Sequence, residues 1–258
     1  MTKTGLVTGA TSGIGRSFAE HLARDGYDLV VIARDKSRLE TTQEELQTRY
    51  SINVEVIPAD LSTTEGVAKV AERLLDEKRP IDFFVNNAGH GSSESFLEMT
   101  AVDHDHMLRL NVNAVVTLSH AAMTVMVKRN RGSLINLGSV AAYLPGFRSS
   151  STYAATKAFV IAFTEGLMPT INGTDVRVMV LCPGFVKTEF HSRAKISKGK
   201  LSPYLWLEAD DVVTAAMHDF QKGRLLSVPT FRYKVIVGLA RFVPRNFLLK
   251  QMNRMGKR

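Results

Sequence analysis

The 258-residue sequence has one cysteine, Cys182, so it cannot form an internal disulfide bond. Such low cysteine content suits a reducing compartment, and we expect a cytoplasmic protein. No apolar run approaches the roughly 20 residues that a membrane-spanning helix needs. Because only a few polar residues precede the first apolar segment, we also expect no secretory signal peptide. The Gly-Lys-Ser/Thr sequence of a P-loop is missing as well, which excludes a P-loop nucleotide site.

Acidic residues are missing from one end of the chain. The formal net charge is +8, yet no Asp or Glu follows Asp219, and residues 220–258 contain ten Lys and Arg. That segment alone carries +10, which leaves −2 for the first 219 residues. Nucleic-acid binding is therefore a poor interpretation, because the basic charge does not belong to the main domain. The basic, apolar extension at residues 231–258 could lie on an anionic membrane surface, receive an acidic acyl carrier, or pack against the core or a neighbouring subunit.

A glycine-rich turn lies near the start of the sequence, between an apolar segment at residues 4–8 and an amphipathic segment that extends to about residue 24. Strand, turn and helix in this order are typical of a dinucleotide site, because glycine lets the backbone approach the pyrophosphate. The start of the helix adds N–H donors and the positive end of its dipole. The residues that we expect at the cofactor phosphates are Gly9, Thr11, Ser12, Gly13, Ile14 and Gly15.

The choice between NAD and NADP depends on the end of the second predicted strand, at residues 28–33. An NAD site usually places an acidic residue about 20 residues after the turn, where it binds the ribose hydroxyl groups. Ala33 stands at that place, and Arg34 follows it. Because an arginine can bind a 2′-phosphate through two hydrogen bonds, we expect NADP(H) rather than NAD(H). In the alternative, Asp35 is the ribose ligand and Arg34 is solvated; we favour Asp35 as a helix N-cap.

Apolar strands alternate with helical segments as far as about residue 230. The alternation predicts an α/β fold, a Rossmann-like doubly wound parallel sheet of about seven strands with helices on both faces. We expect a single domain at residues 1–230, including a polar substrate lid at about 187–207, and then the extension at 231–258. The ends of the third and fourth predicted strands would add cofactor contacts from Asp60, Leu61, Asn87, Ala88 and Gly89.

A serine, a tyrosine and a lysine form a candidate proton-transfer group. Tyr153 and Lys157 are four residues apart, so they share a face if they lie in one helix. An ordinary tyrosine, with a pKa of about 10, is a poor base at neutral pH, and we expect the nearby ammonium group to lower that pKa. Ser139 can hydrogen-bond the oxygen atom that Tyr153 protonates. This group predicts proton transfer to and from an alcohol or carbonyl oxygen.

The predicted helix at about residues 102–129 contains three further polar residues of interest. His104 and His106 are two residues apart and do not share a helix face, so we interpret them as solvated rather than as metal ligands. Asn111 stands in an apolar run, where the plainest interpretation is a buried carboxamide that the backbone satisfies.

These motifs together closely resemble the short-chain dehydrogenases/reductases over about residues 3–230. The matching elements occur in the order of that family: Thr8-Gly9-Ala10-Thr11-Ser12-Gly13-Ile14-Gly15, Asn86-Asn87-Ala88-Gly89, Asn111, Ser139, Tyr153-x-x-x-Lys157 and Pro183-Gly184 with Thr188. Within the family, the sequence looks like the non-extended group that includes the β-ketoacyl and hydroxysteroid reductases. The resemblance also implies a homodimer or a homotetramer.

The resemblance assigns a role to each residue of the site. Tyr153 would be the general acid/base, Ser139 would polarise the substrate oxygen, and Lys157 would lower the pKa of Tyr153 and bind the nicotinamide ribose. Asn111 would position a water molecule in a proton relay. On this basis Gly89 would contact the cofactor on the adenosine side, and Val186 and Thr188 would contact the nicotinamide amide. Pro183 and Gly184 are further residues expected at the cofactor.

The positions expected to face the substrate are mostly apolar. Besides Ser139 and Tyr153 they are Val140, Tyr143, Leu144, Phe147, Phe185, Phe190 and Trp206. No arginine is evident for a short charged substrate, so we expect a small apolar carbonyl or alcohol compound: a ketone, a ketosteroid or a β-ketoacyl compound. The alternative function is an NADP(H)-binding regulatory or scaffold protein with little turnover. The intact proton-transfer group favours the enzyme, because a protein without turnover has no need of it.

Overall fold

The computed structural model describes residues 2–92, 94–144, 151–190 and 202–243. Within these ranges, seven parallel strands form one sheet in the order β3-β2-β1-β4-β5-β6-β9, which confirms the predicted fold class. A separate parallel pair, β7 and β8, lies outside that sheet. The strands are β1 (Thr4–Thr8), β2 (Asp28–Ala33), β3 (Val54–Pro58), β4 (Phe83–Asn86), β5 (Gly132–Leu137), β6 (Val176–Leu181), β7 (Phe185–Val186), β8 (Trp206–Leu207) and β9 (Leu226–Ser227).

Helices connect the strands and cover both faces of the sheet. Those within the described ranges are α1 (Gly13–Arg24), α2 (Lys36–Tyr50), α3 (Thr64–Leu75), α4 (Ala101–Leu108), α5 (Ala114–Lys128), α6 (Ser151–Gly166), α7 (Met168–Ile171), α8 (Ala209–Gln221) and α9 (Phe231–Phe242). Short 3₁₀ turns occur at Val140–Ala142 and at Pro203–Leu205. The first part of the basic extension is thus a helix, α9, whereas residues 244–258 lie outside the described ranges.

The side chains of β1 alternate between two hydrophobic cores, because successive side chains of a strand point to opposite faces of a sheet. Val7 of β1 belongs to the core that also contains α1, α2, α8 and α9. Its neighbour Leu6 belongs to the core on the opposite face, with α3 and α5. Both faces are therefore buried, which explains why the strands read as continuous apolar runs in the sequence.

The longest helical segment, Ala101–Lys128, consists of α4, a π-helical turn at Arg109–Asn113 and α5. By length and composition alone its 28 residues could cross a membrane, so the expectation that no such segment exists is wrong. However, more than half of its most apolar stretch is buried within the fold. Leu118 and Met126 are buried among the core residues of α3 and the sheet, and we therefore assign this helix to the core.

Candidate active site

A cavity of about 890 Å³ opens where the order of the strands reverses, between β1 and β4. In an open parallel sheet, ligands bind at this point, beyond the carboxyl ends of the strands. The loops that follow β1, β2, β3, β4, β5 and β6 all contribute to the lining of the cavity. The topology therefore brings together residues that are far apart in the sequence.

The glycine-rich turn forms the floor of the cavity at one end. Gly9 and Gly13 have φ angles of +68° and +57°, in the left-handed region that favours glycine. A Cβ atom at Gly15 would lie 2.3 Å from the Gly9 carbonyl oxygen and 2.4 Å from Asn87 Nδ2. The turn is therefore closed against α1 and β4 with no room for a side chain. Such a backbone cradle at the N-terminus of α1 fits a pyrophosphate group.

A hydrogen-bond network ties the ends of β1 and β4 together beneath this cradle. The Thr8 hydroxyl oxygen accepts from the backbone N–H groups of Asn87 and Ala88, at 2.9 Å each. The Asn87 side-chain amide donates in return to the Thr8 carbonyl oxygen at 2.7 Å. Because Thr8 is fully buried and takes part in all three bonds, the network fixes both strand ends relative to each other.

The cavity brings together nearly all of the residues that the sequence predicts at the cofactor. Those in its lining are Gly9, Thr11, Ser12, Gly13, Ile14, Arg34, Asp60, Leu61, Asn87, Ala88, Gly89, Tyr153, Lys157, Pro183, Gly184, Val186 and Thr188. Gly15 is the exception: it does not line the cavity but lies under the turn, against Gly9 and Asn87. Its contribution is to let the cradle close rather than to contact a ligand.

Two arginines stand at the far end of the cradle, after β2. Arg34 is exposed, lines the cavity, and has no hydrogen bond or ion pair among the described residues. Asp35 is the N-cap of α2, where its side chain accepts from the Arg38 backbone N–H at 3.1 Å. Arg38, which the sequence reading missed, donates to both carboxylate oxygens of Glu189 at 2.9 Å and to the Thr11 carbonyl oxygen at 3.1 Å.

Asp60 lines the cavity from the loop after β3. Burial acts to raise the pKa of its carboxyl group, but hydrogen bonds from the Ser62 hydroxyl and backbone N–H, at 2.7 and 2.9 Å, act in the other direction. Arg34 and His106 add favourable charge, and the net result is a pKa below its ordinary value. Asp60 therefore stays ionised as an acceptor at neutral pH, and it also holds the turn that leads into α3.

The candidate proton-transfer residues lie at the other end of the cavity. Tyr153 and Lys157 are one turn apart in α6, and Lys157 Nζ is 5.9 Å from the centre of the Tyr153 ring. The Lys157 ammonium group donates to the Leu137 carbonyl oxygen at 2.7 Å, at the end of β5. The Ser139 hydroxyl group is hydrogen-bonded with Tyr153 and also accepts from the Ala141 N–H at 3.1 Å. All three side chains line the cavity.

The pKa of Tyr153 departs from the expectation based on the sequence. Burial raises it to about 12, although the hydrogen bond with Ser139 acts to lower it. Burial also lowers the pKa of Lys157 to about 8, which still leaves most of this amine protonated at neutral pH. The pKa of Tyr153 in the protein alone is therefore raised rather than lowered, because burial dominates and the Lys157 charge is not among the causes of the shift. Tyr153 is a phenol that can donate a proton.

Asn111 lies fully buried in the π-helical turn, one step behind the cavity wall. Its side-chain oxygen accepts from the His90 N–H at 2.9 Å, and its amide donates to the His90 carbonyl oxygen at 2.7 Å and to the Thr156 hydroxyl at 3.2 Å. A Cβ atom at Gly89 would be 3.3 Å from Asn111 Oδ1 and 3.4 Å from Lys157 Nζ. Gly89 thus keeps open a narrow space between the carboxamide and the lysine.

Apolar side chains line the cavity near Tyr153, and the set of lining residues differs from the set predicted to bind the substrate. Val140, Leu144, Phe185 and Phe190 line it, together with Ser139 and Tyr153. Leu205, Tyr233 and Ile236 also line it, although no local sequence pattern points to them. The Phe190 ring lies 5.9 Å from the ring of Tyr153.

Two of the predicted substrate residues do not reach the cavity. Tyr143 is partly buried against the core beside the Val140–Ala142 turn, and Trp206 packs against Phe185 with 5.7 Å between ring centres. Phe147 lies outside the described residues. The local sequence indicated that these positions are apolar. It did not indicate which way the side chains of Tyr143 and Trp206 face after the two 3₁₀ turns.

The two histidines of α4 are also not simply solvated. His104 makes hydrogen bonds with the Phe96 carbonyl oxygen at 3.1 Å and the Thr152 hydroxyl at 2.8 Å. His106 lines the cavity and packs edge-on against His90, with 6.0 Å between ring centres. Among the described residues there is no cluster of side chains suited to a metal ion.

Tyr233 of α9 fastens the C-terminal helix to the cavity wall. Its hydroxyl group accepts from the Phe185 N–H at 3.0 Å and donates to the Leu205 carbonyl oxygen at 2.6 Å. A Cβ atom at Gly184 would lie 2.0 Å from the Tyr233 ring, so the ring packs directly on the Pro183-Gly184 loop. This contact joins the loop after β6, the β7–β8 pair and α9.

We expect Tyr233→Phe to lower the free energy of unfolding by about 1–3 kcal/mol, because the Phe185 N–H loses its buried acceptor while the ring packing stays. For a chain of this size, each kcal/mol corresponds to about 2–4 °C in the thermal midpoint. Thermal denaturation measures the change. Tyr204→Phe is the matched control, because Tyr204 is 69% exposed. Equal midpoints in the two variants would contradict the role of this hydroxyl group.

A backbone cradle for a pyrophosphate and a Ser–Tyr–Lys group at one edge of a parallel sheet define a nicotinamide-dependent oxidoreductase. A family model described as short chain dehydrogenase matches residues 3–198. The chain belongs to the short-chain dehydrogenase/reductase family.

Similar proteins within the family have different substrates in their names. The 3-oxoacyl-[acyl-carrier-protein] reductase FabG of Aquifex aeolicus is 30% identical over 187 residues, 72% of this chain and 75% of that protein. A solved short-chain dehydrogenase from Sphingobium yanoikuyae in complex with NADPH is 34% identical, covers 93% of both chains and has a TM-score of 0.85.

Two further solved structures extend the comparison. The bulky-bulky ketone specific alcohol dehydrogenase from Comamonas testosteroni is 29% identical, with a TM-score of 0.80 over 94% of this chain and 95% of that one. A short-chain dehydrogenase/reductase from Burkholderia phymatum in complex with NAD is 25% identical, with a TM-score of 0.82 over 96% and 95% of the two chains. The family thus accommodates both nicotinamide cofactors.

Proposed function

We propose that this oxidoreductase interconverts a carbonyl group and a secondary alcohol on an apolar substrate, with NADP(H) as the cofactor. The observation that carries the proposal is the position of the Ser139–Tyr153 hydrogen bond at the apolar end of the cavity whose other end is the glycine-rich cradle. A substrate oxygen at this bond has a proton donor beside it, while the carbon skeleton meets Val140, Leu144, Phe185 and Phe190.

In the direction of reduction, Tyr153 donates its proton to the substrate oxygen, and Ser139 hydrogen-bonds the same oxygen as negative charge develops there. The raised pKa of Tyr153 suits this role, because the phenol holds its proton at neutral pH until the oxygen becomes basic. Lys157, held by the Leu137 carbonyl oxygen, supplies positive charge beside the ring. A bound nicotinamide cofactor supplies or accepts the hydride.

Asn111 has a positioning role in this proposal. Its carboxamide fixes the backbone of His90 on one side and the Thr156 hydroxyl on the other, and it faces the same narrow space as Lys157 Nζ. Thr156 in turn donates to the Tyr153 carbonyl oxygen at 2.8 Å. Asn111 therefore connects the backbone after β4 with the helix that carries Tyr153 and Lys157.

The preference for NADP(H) rests on Arg34. The Asp35 carboxylate is engaged as the N-cap of α2, whereas the Arg34 guanidinium lines the cavity with no hydrogen bond or ion pair among the described residues. The Sphingobium relative was solved with NADPH and the Burkholderia relative with NAD, so family membership alone does not choose between the cofactors. A guanidinium at this end of the cavity, not held in an ion pair, favours the 2′-phosphate.

We expect Arg34→Ala to raise the KM for NADPH by about 10- to 100-fold, the equivalent of one lost charge-assisted interaction, and to leave the KM for NADH nearly unchanged. Steady-state kinetics with both cofactors measures the ratio. The matched control is Lys36→Ala, because Lys36 is an exposed cation two residues away that does not line the cavity. If the ratio of the two KM values is unchanged in Arg34→Ala, Arg34 does not select the cofactor, and Asp35 becomes the candidate ribose ligand.

The experiment that tests the proposed reaction is NADPH consumption with three ketones: a β-ketoacyl thioester, a ketosteroid and a simple aryl ketone. Turnover of at least one of them, absent in Tyr153→Phe, would support the proposal and would show whether the cavity prefers a chain or a ring system. Tight NADPH binding without turnover of any of the three would count against an apolar carbonyl substrate. The similar proteins named above are reductases and dehydrogenases, which favours an enzyme over a regulatory or scaffold protein.

A homodimer or homotetramer stays a prediction. The side chains that support it are exposed apolar residues on α4 and α6, among them Val102 and Phe159. The Phe159 and Phe163 rings stack with 5.8 Å between their centres, which presents a flat aromatic surface on α6.

A further inference from the structure

The helix α9 carries an exposed apolar stripe. Its members are Phe231, Val235, Leu239 and Phe242, which are 81%, 41%, 59% and 88% exposed. Because they are spaced by four, four and three residues, they lie on one face of the helix. Two nearly fully exposed phenylalanines on one short helix form an apolar patch of the kind that marks an interaction site.

The opposite face of the same helix belongs to the active-site cavity. Tyr233 and Val237 are 2% and 5% exposed, and Ile236 lines the cavity together with Tyr233. The stripe therefore lies about one helix diameter, roughly 10 Å, from the cavity interior. Any partner that covers the stripe would lie directly outside the substrate end of the site.

Basic and aromatic groups surround the stripe. Lys234 is exposed, and the Arg232 guanidinium stacks over the Tyr204 ring at 4.5 Å while it donates to the Tyr204 carbonyl oxygen. Tyr204 is itself 69% exposed. No acidic residue occurs after Asp219, whereas residues 220–258 contain ten Lys and Arg. The stripe thus lies in a segment with positive charge only.

We propose that the stripe on α9 docks on the surface of an anionic lipid bilayer. Exposed aromatic and aliphatic side chains beside lysines and arginines are the features of a helix that lies in the membrane interface. A second copy of this chain is a poorer occupant, because a two-fold contact through this face would bring two segments of +10 together. Residues 244–258 add five of those basic groups and no acidic group, so the charge favours the same partner.

The test is co-sedimentation of the full chain with vesicles of phosphatidylcholine alone or of equal parts phosphatidylcholine and phosphatidylglycerol. We expect binding to the mixed vesicles that added salt weakens, and little binding to phosphatidylcholine alone. The double substitution Leu239→Ser with Phe242→Ser should weaken binding by at least about tenfold, because two apolar side chains no longer insert. No substrate is present, so the result does not depend on the proposed function.

The matched control is Leu97→Ser, which removes a leucine that is 91% exposed but lies outside α9. NADPH binding and thermal unfolding should be unchanged in both variants, which shows that they fold. Absence of binding to the mixed vesicles would overturn the proposal, and so would equal binding by the double variant and the parent chain. Self-association that the double substitution abolishes, without vesicle binding, would assign the stripe to a second copy instead.

Discussion

Replacing Tyr153 with phenylalanine is expected to lower turnover by about 10²–10⁴-fold, the usual contribution of a positioned general acid. The ring of the variant keeps the packing against Phe190, with 5.9 Å between ring centres, whereas the proton donor and the hydrogen bond with Ser139 are lost. Affinity for NADPH should stay nearly constant, because Lys157 remains anchored to the Leu137 carbonyl oxygen. Steady-state kinetics with an accepted ketone and a fluorescence titration with NADPH measure the two quantities separately.

Tyr143→Phe is the matched control for this experiment. Tyr143 is a tyrosine of the neighbouring turn that packs against the core and does not line the cavity. Its loss of a hydroxyl group should leave turnover within about twofold of the parent enzyme, which is the range expected for a change that touches neither substrate nor cofactor. Comparable turnover in Tyr153→Phe and Tyr143→Phe would refute the assignment of Tyr153 as the proton donor.

The second large effect is expected from Gly15→Ala, which should weaken NADPH binding by about 100-fold or more. The added methyl group would lie 2.3 Å from the Gly9 carbonyl oxygen and 2.4 Å from Asn87 Nδ2, so either the glycine-rich turn or the end of β4 has to move. A displacement of about 1 Å at a binding cradle is enough to cost a factor of this size. Equilibrium titration with NADPH measures the affinity, and circular dichroism checks that the fold persists.

Gly166→Ala provides the comparison for this substitution, because both glycines lie in helices. A Cβ atom at Gly166 would have no neighbour within 4 Å, and its φ angle lies outside the left-handed region. Alanine is the better helix former, so this variant should be as stable as the parent or slightly more so, by up to about 1 kcal/mol. If Gly15→Ala and Gly166→Ala bind NADPH with equal affinity, the cofactor site does not depend on the close approach of Gly15 to Gly9 and Asn87.

The elements that the sequence predicted well depend on local patterns. The strand Thr4–Thr8, the glycine-rich turn and the helix start follow one another within a few residues, so apolar runs and glycine spacing suffice to locate them. The capping role of Asp35 is local in the same sense, because its acceptor geometry involves only the first turn of α2. When the residues that determine an element lie within one short segment, the sequence alone is enough to predict that element.

The features that the sequence did not reveal come from distant parts of the chain. Tyr233 and Ile236 reach the cavity only because α9 folds back over the loop after β6. Glu189 meets Arg38 across 151 positions. The raised pKa of Tyr153 likewise follows from tertiary burial, which no spacing of residues encodes. Patterns in the sequence can indicate the chemistry of a side chain but not how deeply the fold withdraws it from water.

The π-helical turn at Arg109–Asn113 has a consequence for how this chain tolerates changes in length. A π turn contains one residue more than the regular α-helical turn that it replaces, so α4 and α5 are out of phase by about 100°, the rotation of one residue. Deleting one residue of this turn would allow α4 and α5 to continue as one regular α-helix, and the amino-acid composition of the segment would hardly change. The same deletion would rotate Asn111 away from His90 and Thr156, its partners at 2.7–3.2 Å. The placement of this amide is therefore encoded in the number of residues in the helix as much as in their identity.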